Sequence, residues 1–127
     1  WIFRDRMTLA TFLTAADYVQ ATRLRRILTA EVDAALARYD VLVAAVIWSA
    51  APPIDSVPPY GMFSKGMLTG PFNLTGHPAM AVRTGFSTDG LPLSMQIVGR
   101  RFDEATVLRV ADAHERMTQW RERRPPL

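Results

Sequence analysis

Cysteine is absent from this chain of 127 residues, and two other reactive residue types are scarce. Without cysteine the chain forms no disulfide bond and offers no thiolate, which leaves its compartment open on that ground. Histidine occurs only as His77 and His114, so no helical pair of histidines exists to bind zinc. The one lysine, Lys65, lies between Gly61 and Gly66 at a spacing unlike a P-loop and is interpreted as an exposed loop residue. We therefore expect no metal and no cofactor.

The chain also lacks an apolar run long enough to cross a bilayer, which takes about 18 residues or more. The run at residues 41–47 (VLVAAVI) is much too short. A signal peptide is not expected either, because Arg4 and Asp5 interrupt the place of its apolar core. We therefore expect no membrane partner and a cytoplasmic location. The chain opens on Trp1 rather than methionine, which is typical of a truncated or processed product.

What the chain does have is a globular composition, with 49% apolar residues, 21% charged residues and a formal net charge of +3. At this length it forms one domain at most. Its basic residues are mainly scattered in short clusters at residues 23–26, 100–101 and 121–124, without interleaved aromatic side chains. A surface for nucleic acid would need such stacking partners. We interpret the arginines as solvated surface charge and expect no nucleic-acid partner.

Hydrophobic periodicity predicts two helices. Thr14 is the expected N-cap of a long one, with Asp17 three residues on, and neither Gly nor Pro interrupts the chain from there to Tyr39. Residues 1–13 show no clean period and are expected to be irregular or partly helical. The stripe predicted for the long helix comprises Ala21, Leu24, Leu28, Val32, Ala35, Leu36 and Tyr39. A last helix is predicted to begin at Asp103, with an inward stripe of Val107, Val110, Ala111, His114 and Met117.

Three segments are predicted as strands. Residues 41–47 are apolar on both faces, which favours an interior strand of a larger sheet. Residues 79–83 and 93–98 are predicted to be two more, joined by a hairpin-like connection. The proline-rich residues 50–61 are predicted to be a loop. The predicted fold class is α/β, an incomplete layered α/β/α arrangement around a mixed sheet.

No residue of the chain has the surroundings of a nucleophile or its base. The serines are Ser49, Ser56, Ser64, Ser87 and Ser94. None lies in a G-x-S-x-G elbow or a Gly-Ser-rich loop. His114 is interpreted as a satisfied helix residue at a packing boundary, and His77 is expected to bind backbone at a turn. We therefore assign no catalytic residue.

Six short phrases do carry information by their order. They are LTAADY at residues 13–18, DVL at 40–42, APPI at 51–54, NLTGHPA at 73–79, GLPLSMQIVG at 90–99 and FDEATVLRVA at 102–111. Taken together they resemble the C-terminal end of the amidase signature family, serine hydrolases that cleave carboxamides. The resemblance covers about residues 13–120.

The resemblance implies a layered α/β fold and a whole protein that hydrolyses amide C–N bonds with a Ser nucleophile, a bridging Ser and a Lys base. The family draws these residues from an earlier lysine and a Gly-Gly-Ser-Ser-Gly-Gly-Ser-like loop. Neither is found here, and Lys65 falls downstream of the catalytic lysine's place. Residues 1–127 are accordingly expected to be the C-terminal portion of the domain. Their expected partners are the missing N-terminal portion and a small amide substrate.

Two departures from the family pattern bear on the substrate. The strand after Asp40 usually runs into Pro-Thr, where this chain has Ala45-Val46. In the glutamine-using subunit of the tRNA-dependent amidotransferase, an Asp that holds the substrate ammonium aligns with Gly66 here. Because a buried ammonium without a carboxylate is costly, the resemblance favours a general amidase over a glutaminase.

Three apolar side chains, Trp48, Phe63 and Met67, fall near the expected wall of the substrate pocket. They suit an apolar amide, and ordinary core packing is the alternative. We expect the chain alone to be inactive and poorly folded or self-associating, including as a homo-oligomer, because its strand edges and apolar faces are unpartnered. The competing hypothesis is a non-catalytic binding or assembly module with the same architecture.

Overall fold

The computed structural model of the chain describes residues 2–58, 61 and 66–124. Its helices are α1 (Ile2–Ala10), α2 (Ala15–Leu36), α3 (Gly70–Thr75) and α4 (Glu104–Met117). Its strands are β1 (Val41–Ala45), β2 (Ala79–Phe86) and β3 (Pro92–Gly99). Short 3-10 turns occur at Ile54–Ser56 and Trp120–Glu122. Among the described helices, none is both long and apolar enough to cross a membrane.

The three strands form one antiparallel sheet in the order β1-β3-β2, so β3 lies at its centre. Ile97 of β3 faces Val43 of β1 in the register on one side and Met80 of β2 on the other. The predicted hairpin is confirmed: β2 and β3 pair directly, and Gly90 in the connection has a φ of 80°, which favours glycine. The α/β class is therefore confirmed.

The core lies between β2, β3 and α4 and is built on Val82, Ile97, Val107 and Ala111, all buried. The helix approaches the end of β3 closely, because a Cβ atom at Gly99 would collide with the side chain of Val107. Asp103 caps α4 by accepting a hydrogen bond from the backbone N of Thr106 at 3.3 Å.

Part of the stripe predicted for α4 was wrong. Val107, Val110 and Ala111 do face the sheet, but Met117 in the last turn is 85% exposed. His114 of the same turn still binds the carbonyl oxygen of Arg83 on β2, so only the end of the predicted stripe is exposed.

The long helix α2 begins as predicted. The Oγ1 of Thr14 accepts from the backbone N of Asp17, and the Asp17 carboxylate accepts from the backbone N of Thr14 at 2.8 Å, a reciprocal capping box. The helix ends at Leu36, three residues before the predicted end at Tyr39. Leu36 is buried, whereas Leu24 and Tyr39 of the predicted stripe are exposed. The apolar stripe of α2 is therefore covered toward its C-terminal end, whereas its N-terminal half packs against little of the described chain.

Strand β1 is also shorter than predicted, since it ends at Ala45. It pairs only with β3 in the described structure and is an edge strand there, with Val43 57% exposed. An interior position in a larger sheet stays a prediction. Residues 2–10 form a helix, in keeping with the partly helical interpretation of residues 1–13.

Candidate functional site

Two of the three residues expected to line a pocket, Trp48 and Met67, lie in the described part of the chain. The indole Nε1 of Trp48 donates a hydrogen bond of 2.7 Å to the carbonyl oxygen of Gly66, which places the Trp48 ring beside the segment that precedes α3. Trp48 is 61% exposed and Met67 is 62% exposed, so neither is a core residue of this chain. Phe63 lies outside the described residues. Trp48 and Gly66–Met67 therefore form one exposed, mainly apolar surface, which we call the Trp48 surface.

Gln96 hydrogen-bonds to both segments that form the Trp48 surface. It lies on β3 and is 3% exposed, and its side-chain Nε2 donates to the carbonyl oxygen of Ala45 at 2.9 Å and to that of Leu68 at 3.0 Å. One buried amide thus ties the end of β1 to the segment before α3. Sequence reasoning missed this role, although a polar residue within the apolar strand of residues 93–98 was a signal of it.

The chemistry of the Trp48 surface is limited to binding. Trp48, Gly66 and Met67 carry no acid or base, so these residues can cover an apolar group but transfer no proton. An aromatic ring and a flexible thioether are well suited to that task.

A second polar cluster joins α2 to the entrance of β2. The Nε2 of His77 lies 3.0 Å from Oδ1 of Asp33, and its Nδ1 lies 2.8 Å from Oγ1 of Thr75. The other oxygen of Asp33 accepts from Arg101 at 2.6 Å. The expectation that His77 binds backbone was therefore wrong. Helix α2 was predicted, but the contact of its Asp33 carboxylate with the His77 ring was not.

The proton positions in the cluster follow from its acceptors. Because an ionised Asp33 can only accept, Nε2 of His77 donates to it. Nδ1 shares its hydrogen bond with the hydroxyl of Thr75, which also lies 3.4 Å from the carbonyl oxygen of Phe72. Arg101 is the main reason that the pKa of Asp33 lies below its ordinary value; burial opposes the shift and His77 adds to it. The carboxyl is thus held in its charged form.

This hydroxyl–imidazole–carboxylate chain has the residue types of a catalytic triad but not the access. Thr75 and His77 are both buried, and the side chain of His77 is fully inaccessible. A nucleophile must reach its substrate, so the cluster is structural. No buried side-chain nitrogen or oxygen among the described residues lacks a hydrogen-bond partner.

The remaining histidine matches its prediction. His114 on α4 donates through Nε2 to the carbonyl oxygen of Arg83 at 2.9 Å, which makes it a satisfied residue at the boundary between helix and sheet. Across the described ranges, no group of three acidic or histidine side chains is arranged to hold a metal ion.

The fold and these surfaces define an α/β protein segment with an exposed apolar surface and, among the described residues, a buried polar cluster whose groups are hydrogen-bonded. The chain belongs to the amidase family, whose model matches residues 2–108. It is 39% identical over 131 residues to a glutamyl-tRNA(Gln) amidotransferase subunit of Chloroflexus aggregans, in an alignment that covers 98% of this chain and 27% of that protein. The chain thus spans about a quarter of the length of the curated relatives it matches.

Solved structures agree with this assignment. A structure of 6-aminohexanoate cyclic dimer hydrolase matches with a TM-score of 0.85 and 26% identity, over 98% of this chain and 29% of that one. Native peptide amidase from Stenotrophomonas maltophilia matches with a TM-score of 0.70 and 32% identity, over 90% of this chain and 22% of that one. The predicted amidase signature fold is therefore confirmed.

Proposed function

We propose that this chain is the C-terminal segment of an amide hydrolase and supplies sheet, helices and one wall of the substrate pocket. The observation that carries the proposal is the match of the amidase family model to residues 2–108, in a chain that spans about a quarter of its relatives. The nucleophile, bridging serine and lysine base of a Ser-Ser-Lys mechanism would come from the N-terminal portion of the same domain.

The proposed wall consists of Trp48 and Met67, with Phe63 as a third member. Its support is the exposure of Trp48 and Met67 together with their fixation by the Trp48–Gly66 and Gln96–Leu68 hydrogen bonds. In an amidase of this kind the wall would cover the apolar part of a carboxamide. Gly66 offers no carboxylate for a substrate ammonium, which favours an apolar amide over glutamine.

The uncovered faces of the chain support a partner within the same domain. Helix α1, the turn that follows it and the first half of α2 carry large exposed apolar side chains: Phe3, Met7, Phe12, Leu13, Tyr18 and Leu24. Strand β1 adds an edge that is free among the described strands. Apolar area of this extent is unusual on a monomer and marks a surface that packs against protein. The N-terminal portion of the domain would cover it.

The test is split-protein complementation. The chain would be assayed for hydrolysis of a simple apolar carboxamide, alone and after refolding with the N-terminal portion of the Chloroflexus aggregans relative. We expect no turnover by the chain alone and restored turnover in the mixture. Serine-dependent hydrolysis by the chain alone would contradict the proposal. A stable but inactive complex would favour a binding or assembly module instead.

A further inference from the structure

A groove between α2 and α3 gathers arginines that are far apart in the sequence. Arg25 and Arg26 line it from α2, Asn73 and Gly76 from the end of α3, and Arg101 from the turn after β3. The sequence shows these arginines as separate short clusters. The fold brings them to one concave surface, which we call the arginine groove.

Two of these guanidinium groups have no partner among the described residues. Neither Arg25 nor Arg26 forms an ion pair or a side-chain hydrogen bond there, and the side-chain amide of Asn73 is likewise unengaged. Arg101, in contrast, is committed to Asp33 at 2.6 Å. The groove therefore offers several hydrogen-bond donors that the described part of the chain does not use.

The carboxylate in the groove is already neutralised. Both oxygens of Asp33 are occupied, one by His77 and the other by Arg101. Because the Asp33–Arg101 pair cancels in charge, the charge that a ligand meets is that of Arg25 and Arg26. The polar groups on the α3 side donate through the Asn73 amide, which suits an acceptor with several oxygens.

We propose that the arginine groove binds an oxyanion, a phosphate or a carboxylate group, through Arg25, Arg26 and Asn73. A guanidinium presents a planar fork of N–H donors that matches both groups, and hydrogen bonds to an ionised acceptor are about twice as strong as neutral ones. The open form of the groove suits a ligand with more than one anionic group. This inference does not use the amide chemistry proposed above, and it requires that the N-terminal portion of the domain leave Arg25 and Arg26 accessible.

The experiment titrates the chain with inorganic pyrophosphate and, separately, with citrate, and follows 1H–15N correlation spectra. We expect saturable shifts at the Asn73 side-chain amide and the backbone of residues 73–76 with at least one probe. The probe that binds more tightly identifies phosphate or carboxylate as the preferred source. The double variant R25Q/R26Q should raise Kd by about tenfold or more, as expected for lost charge-assisted hydrogen bonds.

The matched control is R109Q/R116Q on α4, which removes the same charge away from the groove. We expect its Kd to stay within about twofold of the parent value. Equal weakening by both double variants, or shifts without saturation, would overturn the proposal and leave only general surface charge. If the isolated chain self-associates, the same two pairs are compared in the longer protein that contains this segment, with far-UV circular dichroism as the check of folding.

Discussion

The imidazole Nε2 of His77 lies 3.0 Å from Oδ1 of Asp33, and this bond links the long helix α2 to the entrance of strand β2. His77 also binds Thr75, and Asp33 also binds Arg101. Four side chains from three parts of the chain are thus linked through the buried His77 ring and the Asp33 carboxylate. Since the N-terminal half of α2 is largely exposed, the cluster is a principal attachment of this helix to the rest of the chain.

Replacement of His77 by leucine tests that attachment. The H77L variant loses both ring hydrogen bonds and leaves the hydroxyl of Thr75 with only its long contact, 3.4 Å, to the carbonyl oxygen of Phe72. We expect a loss of about 1–3 kcal/mol in the free energy of unfolding, measured by urea denaturation at neutral pH. The control is H114L, which removes one bond from a less buried ring and should cost clearly less. If H77L and H114L lose the same unfolding free energy, the cluster stabilises the fold no more than a single histidine–backbone hydrogen bond does.

Acid should weaken the same cluster through Asp33. Arg101 is the main cause of its lowered pKa, with burial opposing and His77 adding to the shift, from an ordinary value of 3.8. Because the pKa is lower in the folded state, the contribution is complete above the unfolded value and is lost as pH falls through the folded one. We therefore expect stability to decline below about pH 4.

Urea unfolding at about pH 5 and about pH 3 measures this decline. D33N should show a smaller loss of stability between the two conditions than the parent chain, and R101Q should also reduce it because Arg101 is the principal cause. An unchanged pH dependence in D33N would refute the assignment.

Gln96 is the polar residue on which the Trp48 surface depends. In the Q96L variant the carbonyl oxygens of Ala45 and Leu68 lose a shared donor, and we expect a cost of about 1–3 kcal/mol in unfolding free energy. Q96E should be worse at neutral pH, because a carboxylate would face two carbonyl oxygens, and should recover partly on acidification when it can donate. A Q96E variant as stable as the parent at neutral pH would contradict the geometry.

Trp48 should affect substrate binding rather than chemistry. In the amidase of which we propose this chain is a segment, W48A is expected to raise KM for an apolar amide by about tenfold with little change in kcat, because loss of the proposed wall weakens binding of the ground and transition states alike. W48F keeps an aromatic ring, so its KM should lie between those of the parent enzyme and W48A. I54A, a neighbouring residue that is also exposed, is the control. If I54A has the same effect as W48A, then Trp48 is not a specific part of the wall.

Much of this fold could be predicted from local chemistry. The Thr14–Asp17 capping box, the β2–β3 hairpin and the inward position of Val107 each follow from residues within a few positions of one another. Such features are visible in a sequence because their partners lie on the same turn or the same helix face.

None of the contacts between distant segments could be predicted from the sequence. Asp33 and His77, or Gln96 and Leu68, meet only after the helices and strands are placed. The prediction for Met117 failed for a related reason, because the helical period shows which face is apolar and not which residues of that face meet another element. The pocket wall stays a prediction from the resemblance, whereas the two hydrogen bonds by which Gln96 joins Ala45 to Leu68 became visible only in the fold.

The free edge of β1 gives a prediction about the isolated chain. Val43 is 57% exposed on a strand that pairs on one side only among the described strands, and an edge of this kind is a template for association with another chain. A lysine there opposes such pairing, so V43K should reduce self-association, measured by sedimentation velocity, and preserve the far-UV circular dichroism spectrum.

The control is L108K, which makes a comparable change at an exposed position of α4 and should not reduce self-association. If L108K reduced association as much as V43K, net charge rather than the strand edge would be the cause. If only V43K reduces self-association, the edge of β1 is the associating surface, as expected of a strand that would be interior in the complete domain.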